Sequence, residues 1–388
     1  MPSIQSSGIR SVIRKYSMYF ALVIIMIVFS VTTGGTFLTP RNLTNLMFQT
    51  SYIAVLAIGV VLVIIAGHTD LSLGSLTGLL GGIMAVLQVK FGWSTPMVIL
   101  AGVLIGMTFG AWHGFWIAFQ RIPAFIVTLA GMLSYRGVLI MLTGGETIAP
   151  MRDSFKMIGQ GYLPRISQDL PFHDTTMILG VLAVAVFIGF QIHNRRLRIK
   201  HGFPVGKAPA FAAGIGLASA AILGAFLMIA LYRGIPYSAL LLIFLTLILH
   251  YVSTRTPFGR YVFAIGGNVE AARLSGINIR KVNFSLYVLM GSLAAVSGML
   301  FTARLNSATA SAGTMFEFDA ITAAIIGGAS VMGGEGSVIG AVIGALVTGS
   351  LNNGMGLMNI PTDRQQIIKG LILLLVVWFD IGMRKKRR

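Results

Sequence analysis

Cysteine is absent from the 388 residues. Disulfides, thiolate nucleophiles and Cys-ligated metal sites are therefore excluded. Charge is nearly as scarce: Asp, Glu, Lys and Arg make up 10% of the chain, against about 25% in soluble domains. So few charges cannot cover a water-facing surface. The hydrophobic residues, 55% of the total, fall in long runs rather than amphipathic stripes. A helix needs about 20 mostly apolar residues to cross a bilayer, and such runs recur along the whole length. The expected fold class is all-α, a polytopic membrane helix bundle in a single transmembrane domain over 1–388.

Several catalytic signatures are also missing. No G-x-x-x-x-G-K-[ST] phosphate loop, no H-E-x-x-H and no G-x-S-x-G occurs. The chain is not expected to hydrolyse ATP, to hold a metal or cofactor, or to be an enzyme. Acidic residues number only 11 against 29 Lys and Arg, a net charge of +18. On a soluble protein that excess would suggest nucleic acid. On a membrane protein it reads as basic cytoplasmic loops, with lipid rather than nucleic acid as the surroundings.

Apolar segments fall near 18–33, 50–66, 72–89, 96–119, 123–143, 175–192, 211–231, 237–251, 284–303, 319–332, 338–358 and 365–379. Some are short, so ten to twelve spans are expected, with 50–66/72–89 and 319–332/338–358 as candidate broken or re-entrant pairs. Arg10, Arg14 and Lys15, the loop HNRRLRIKHG at 193–202, the loop from Arg255 to Lys281 and the tail RKKRR at 384–388 would share one face. The positive-inside rule makes that face, and both termini, cytoplasmic. The first apolar run meets no small-x-small cleavage site and reads as an uncleaved span.

Glycine is abundant, and its spacing is regular. Gly102, Gly106, Gly110 and Gly114 recur every fourth residue, as do Gly74, Gly78 and Gly82, and Gly336, Gly340 and Gly344. On helices these are smooth ridges for close backbone packing. LSLGSLTGLLGG at 71–82 and GSVIGAVIGA at 336–345 are faintly alike, a hint of internal duplication.

One basic loop, GGNVEAARLSGINIRKV at 266–282, carries markers of a short helix at both ends. Asn268 is a good N-cap, Glu270 suits the positive first turn and Gly276 the left-handed C′ position. A two-turn helix is not stable alone in water, so it needs a partner. That partner is either the chain's own span ends or another protein.

Here the residues resemble a known family. E-A-A-x-x-x-G, formed by Glu270, Ala271, Ala272 and Gly276, is similar to the cytoplasmic coupling loop of ATP-binding-cassette (ABC) importer permeases. FGRYVFAIGGNVEAARLSGINI at 258–279, GHTDLSLGSLTGLLGG at 67–82, PAFIVTLAGMLSYRGVLI at 123–140 and IGGASVMGGEGSVIGAVIGAL at 326–346 resemble the sugar branch, the ribose- and xylose-type permeases. With NNGMGLMNIP at 352–361, the likeness is greatest to the xylose type. It runs from about residue 36 to the C-terminus and is weakest at 150–235. The resemblance implies a monosaccharide permease of a bacterial inner membrane. It would work as a homodimer with a separate ATPase subunit and a periplasmic sugar-binding protein. Within 252–283, Asn268, Glu270, Ala271, Ala272, Arg273 and Gly276 would form the ATPase-docking loop.

Polar groups at membrane depth are costly and are candidates for a translocation pathway. Asp70 would cap the helix beginning near Leu71, line the path, or both. Arg136 lies 13 residues into its segment, about 20 Å along a helix, and would either snorkel to the far side or, the preferred reading, form a structural ion pair with an acid such as Asp70 or Glu146. Asn352 and Asn353 would cap a helix or bind sugar hydroxyls. His113, beside Trp112 and Trp116, reads as a core histidine among packing aromatics. The competing reading, an ion-coupled secondary sugar transporter, wants a chain of embedded acids, and only Asp70 is a good candidate.

Overall fold

Helix starts are set locally. Thr39 accepts a hydrogen bond from the Asn42 N–H, with Pro40 at the first helical position; Ser337 does the same for Gly340, and Asn278 for Lys281. A computed structural model describes residues 4–385, with the side chains of 18–378. Fifteen helices follow in order: α1 (Ile4–Thr32), α2 (Pro40–Ile65), α3 (Leu73–Ala85), α4 (Thr95–Ala118), α5 (Ala124–Thr143), α6 (Asp153–Gln160), α7 (Asp174–Lys200), α8 (Ala208–Ala230), α9 (Tyr237–Arg255), α10 (Pro257–Gly267), α11 (Val269–Leu274), α12 (Ile279–Leu305), α13 (Phe316–Ile326), α14 (Val338–Leu357) and α15 (Thr362–Lys385). One π-helical turn, Val86–Lys90, extends α3. Among the described residues no strand forms beyond two isolated bridges, and nine helices are long and apolar enough to cross a membrane. The chain is a polytopic all-α bundle.

The expected broken pairs resolve differently. The segment 50–66 is only part of α2, which starts at Pro40 and is 26 residues long. Its polar first turns precede the apolar run, yet Asn42 and Thr44 in them, like Thr50, are buried. By contrast α13 has 11 residues, about 16 Å, roughly half a hydrocarbon core, and residues 327–337 after it are non-helical.

The core centres on α2, buried from Ile53 to Ala66, which packs against α9, α12, α13 and α14. The glycine ridges are contact lines. A Cβ on Gly106 would stand 2.5 Å from the Gly291 carbonyl oxygen, and one on Gly110 2.2 Å from that of Tyr287, so α4 and α12 touch backbone to backbone. The α7–α8 hairpin is peripheral and mostly exposed.

Two ends can be distinguished. At one, Ile148 N–H donates to Ala308 O at 2.9 Å, Met151 N–H to Asn306 Oδ1 at 3.1 Å, and His173 N–H to Ala230 O at 2.9 Å. At the other, Gly334 N–H donates to Ile65 O at 2.8 Å, and the turns 66–69, 119–123 and 266–278 meet. Helix directions bring the basic link 193–207 to this second, basic end. The side chains of Arg10, Arg14, Lys15 and the 384–388 tail lie outside the described residues.

Candidate functional site

The six-residue helix α11 is built by its caps. Asn268 Oδ1 accepts from Ala271 N–H at 2.9 Å, and Gly276 takes φ +80°, where a side chain would be strained. Ile277 N–H closes the C-terminus onto Ala272 O at 3.1 Å. Ala272 is buried and anchors the helix. Ala271 is exposed, and Val269 and Leu274 are 51% and 80% exposed. Glu270 and Arg273 form an ion pair on the surface. The result is a rigid knob with apolar and charged features directed away from the bundle.

Behind the knob lies a cavity of about 830 Å³. Its walls are the 67–69 turn, the α4–α5 link with Arg121 and Phe125, Glu270 and Arg273 of α11, and Asn283 from the second turn of α12. Asn283 Nδ2 donates to His68 Nε2 at 3.1 Å. Burial pushes the His68 imidazole below its ordinary pKa, partly opposed by that hydrogen bond. Asn283 Oδ1 is buried with no partner.

Asp70 sits just beyond the turn, 2% exposed, accepting from Ser72 N–H at 2.9 Å and Ser72 Oγ at 2.6 Å. It thereby organises the start of α3, which begins at Leu73 rather than Leu71. Arg136 does not pair with Asp70 or Glu146. Its guanidinium donates to the carbonyl oxygens of Ala312 at 2.6 Å and Ala310 at 3.3 Å. Those partners belong to the loop before α13, which no sequence spacing would have linked to Arg136. His113 is buried and hydrogen-bonded to the Tyr135 hydroxyl at 2.9 Å.

Asn352 and Asn353 lie elsewhere, toward the opposite end. Asn353 forms a reciprocal amide pair with Asn42, at 2.8 and 3.1 Å, and donates to Gln49 Oε1 at 3.2 Å. Asn352 donates to Asp319 Oδ2 at 3.3 Å and lines a cavity of about 110 Å³ with Tyr52, Arg304 and Asp319. Lys369 bridges to Asp319 at 3.1 Å. The four candidate pathway residues thus form two groups, Asp70 with Arg136 near α3 and the asparagines near α2. Sequence reasoning missed Glu317, Asp319, Lys369 and Asn283. The run FEFDAITAAII, with two acids opening an apolar stretch, carried the signal for the first two.

The sequence matches the family described as branched-chain amino acid transport system / permease component over residues 42–377. It is 43% identical over 384 residues to the xylose transport system permease protein XylH of Escherichia coli K12, covering 98% of this chain and 95% of that protein. It is 45% identical over 374 residues to XylH of Haemophilus influenzae, covering 96% and 98%. The ribose import permease protein RbsC of Escherichia coli K12 is 32% identical over 364 residues, covering 93% and 91%. No solved structure matches the chain. With a family match over most of its length and near full-length relatives, this chain belongs to that transport-system permease family.

Proposed function

We propose that the chain is the transmembrane permease subunit of an ATP-driven importer for xylose or a similar monosaccharide. It is a transport subunit, not an enzyme. The observation that carries this reading is the exposed, doubly capped α11 on a chain alike to xylose permeases from end to end. The sequence has no phosphate loop, so energy arrives by contact with a separate ATPase subunit. A periplasmic binding protein delivers the sugar at the end that carries α6. The basic end, with both chain termini, faces the cytoplasm of a bacterial inner membrane, in keeping with the positive-inside rule.

On this reading Asn268, Glu270, Ala271, Ala272, Arg273 and Gly276 make the docking element within 252–283. The chain is a single permease domain that works as a homodimer surrounded by lipid. Asp70, Arg136 and Asn352 are assigned to the walls of the translocation pathway, while the closed amide pair of Asn353 gives it a structural part. The test is reconstitution. The chain in proteoliposomes with its ATPase and binding protein should accumulate xylose on ATP addition, and the chain alone should accumulate none. Accumulation by the chain alone against a proton or sodium gradient would overturn the reading.

A further inference from the structure

We propose that the groove between the end of α7 and the start of α8 is a headgroup site for an anionic phospholipid, with Arg195 and Arg198 holding its phosphate. The inference goes beyond the importer reading and does not rest on it, since it needs only a chain embedded in a membrane. The groove encloses about 680 Å³. Gln191, Asn194, Arg195 and Arg198 form its polar side, and Val205 and Phe211 belong to its apolar side. Helix length sets the depth of this site. α7 has 27 residues, about 40 Å of helix, whereas the hydrocarbon core is about 30 Å thick. Counted from Asp174, about 20 residues cross that core, which leaves Arg195 and Arg198 at the level of the headgroups. The flanks of the hairpin are open to lipid: Val186 and Phe190 on α7 and Leu217 on α8 are exposed. A lipid whose acyl chains lie on these flanks has its phosphate beside the groove.

Charge decides which lipid fits. Arg195, Arg196, Arg198, Lys200 and Lys207 stand together, and no Asp or Glu occurs from 175 to 269. Among the described residues none of these cations forms an ion pair. Such a concentration of positive charge calls for an external anion. Arg195 is already held in place: its Nη2 donates to the Gly206 carbonyl at 3.0 Å, and its guanidinium lies 4.3 Å from the centre of the Phe211 ring. Among the described residues its other N–H groups, and all those of Arg198, make no hydrogen bond. The planar guanidinium fork matches a phosphate, and basic pockets between membrane helices suit anionic headgroups. A zwitterionic lipid would bring its own cation against these arginines. The hairpin's main packing partner is α2 rather than α10 or α11, so the groove belongs to the lipid-facing periphery and not to the knob.

The test is native mass spectrometry of the full chain in detergent, titrated with phosphatidylglycerol or with phosphatidylcholine of the same acyl chains. One basic residue at an anionic surface is worth about fivefold in affinity, so two arginines should favour phosphatidylglycerol by about 25-fold. Arg198→Gln, which breaks no hydrogen bond within the described fold, should weaken phosphatidylglycerol about fivefold and leave phosphatidylcholine unchanged. Arg198→Lys, which keeps the charge, should retain most of the affinity. Arg195→Gln combined with Arg198→Gln should bring the two lipids level. Arg255→Gln removes an equal charge from an exposed position at the same end and should change neither constant. Equal binding of the two lipids by the unaltered chain overturns the proposal, as does an equal loss in Arg255→Gln. Displacement of phosphatidylglycerol by equimolar inorganic phosphate overturns it in favour of a free anion. An Arg198→Gln chain that keeps its lipid affinity but loses the ATPase subunit assigns the groove to a protein partner and overturns it too.

Discussion

Gly266 lies directly against the end of α2: a Cβ added to it would stand 1.6 Å from the Ile65 carbonyl oxygen and 2.7 Å from Gly334 N. The C-terminal ends of α2 and α10, at 65–67 and 266–267, meet the glycine turn 333–334 at this point. They join α10 and α11 to the turn that leads into α3.

The first prediction is that Gly266→Ala forces these turns apart. Overpacking of this kind costs about 1–3 kcal/mol, and here it falls on backbone that cannot rotate away. The melting temperature of the purified chain should fall. Gly267→Ala, with nothing within 4 Å of the added carbon, should leave it near the wild-type value.

A second prediction concerns Asp319 and Lys369, whose side chains are 12% and 27% exposed. Removing one partner leaves a mostly buried charge and costs about 3–5 kcal/mol. Lys369→Met should therefore destabilise the chain strongly. Lys369→Met combined with Asp319→Asn should recover most of the loss, and thermal unfolding of the double-mutant cycle reads the coupling directly.

The amide pair of Asn42 and Asn353 gives a third. Asn353→Leu leaves Asn42 Nδ2 its bond to the Phe37 carbonyl but strands the acceptor of Asn42 and removes the donor to Gln49 Oε1, at about 1–3 kcal/mol per buried unsatisfied group. A lower unfolding temperature is expected. Asn352→Leu, which removes only a 3.3 Å contact to Asp319, should lower it less and act on transport instead.

A fourth addresses the exposed face of the knob. Leu274 is 80% exposed, so Leu274→Asp should change the stability of the isolated chain by less than about 0.5 kcal/mol. On the proposed docking of α11 it should nonetheless weaken co-purification with the ATPase at least tenfold.

What the sequence revealed was mostly local. The caps at Asn268 and Gly276 act within a few residues of themselves, so α11 is legible from its own few letters. The glycine ridges of α3 and α4 were legible too, because a four-residue repeat declares a helix face, but Gly336 falls outside the third ridge, since α14 starts at Val338. Arg136 was not, since its partners are carbonyl groups 174 and 176 residues away on a non-helical loop. The start of α2 was hidden because the apolar run begins only near 50, whereas Asn42 and Gln49 bond Asn353 across the bundle. Asn283 stands one residue before the apolar run 284–303, and only the fold brings it to His68.

The most direct test of the whole account is charge reversal at Glu270. Its ion pair with Arg273 is solvent-exposed, so its loss costs no more than about 1 kcal/mol of stability, and Glu270→Lys should insert and fold normally. The account predicts that this variant no longer co-purifies with the ATPase subunit and shows no ATP-driven xylose uptake. Normal association and normal uptake in the Glu270→Lys protein would contradict it.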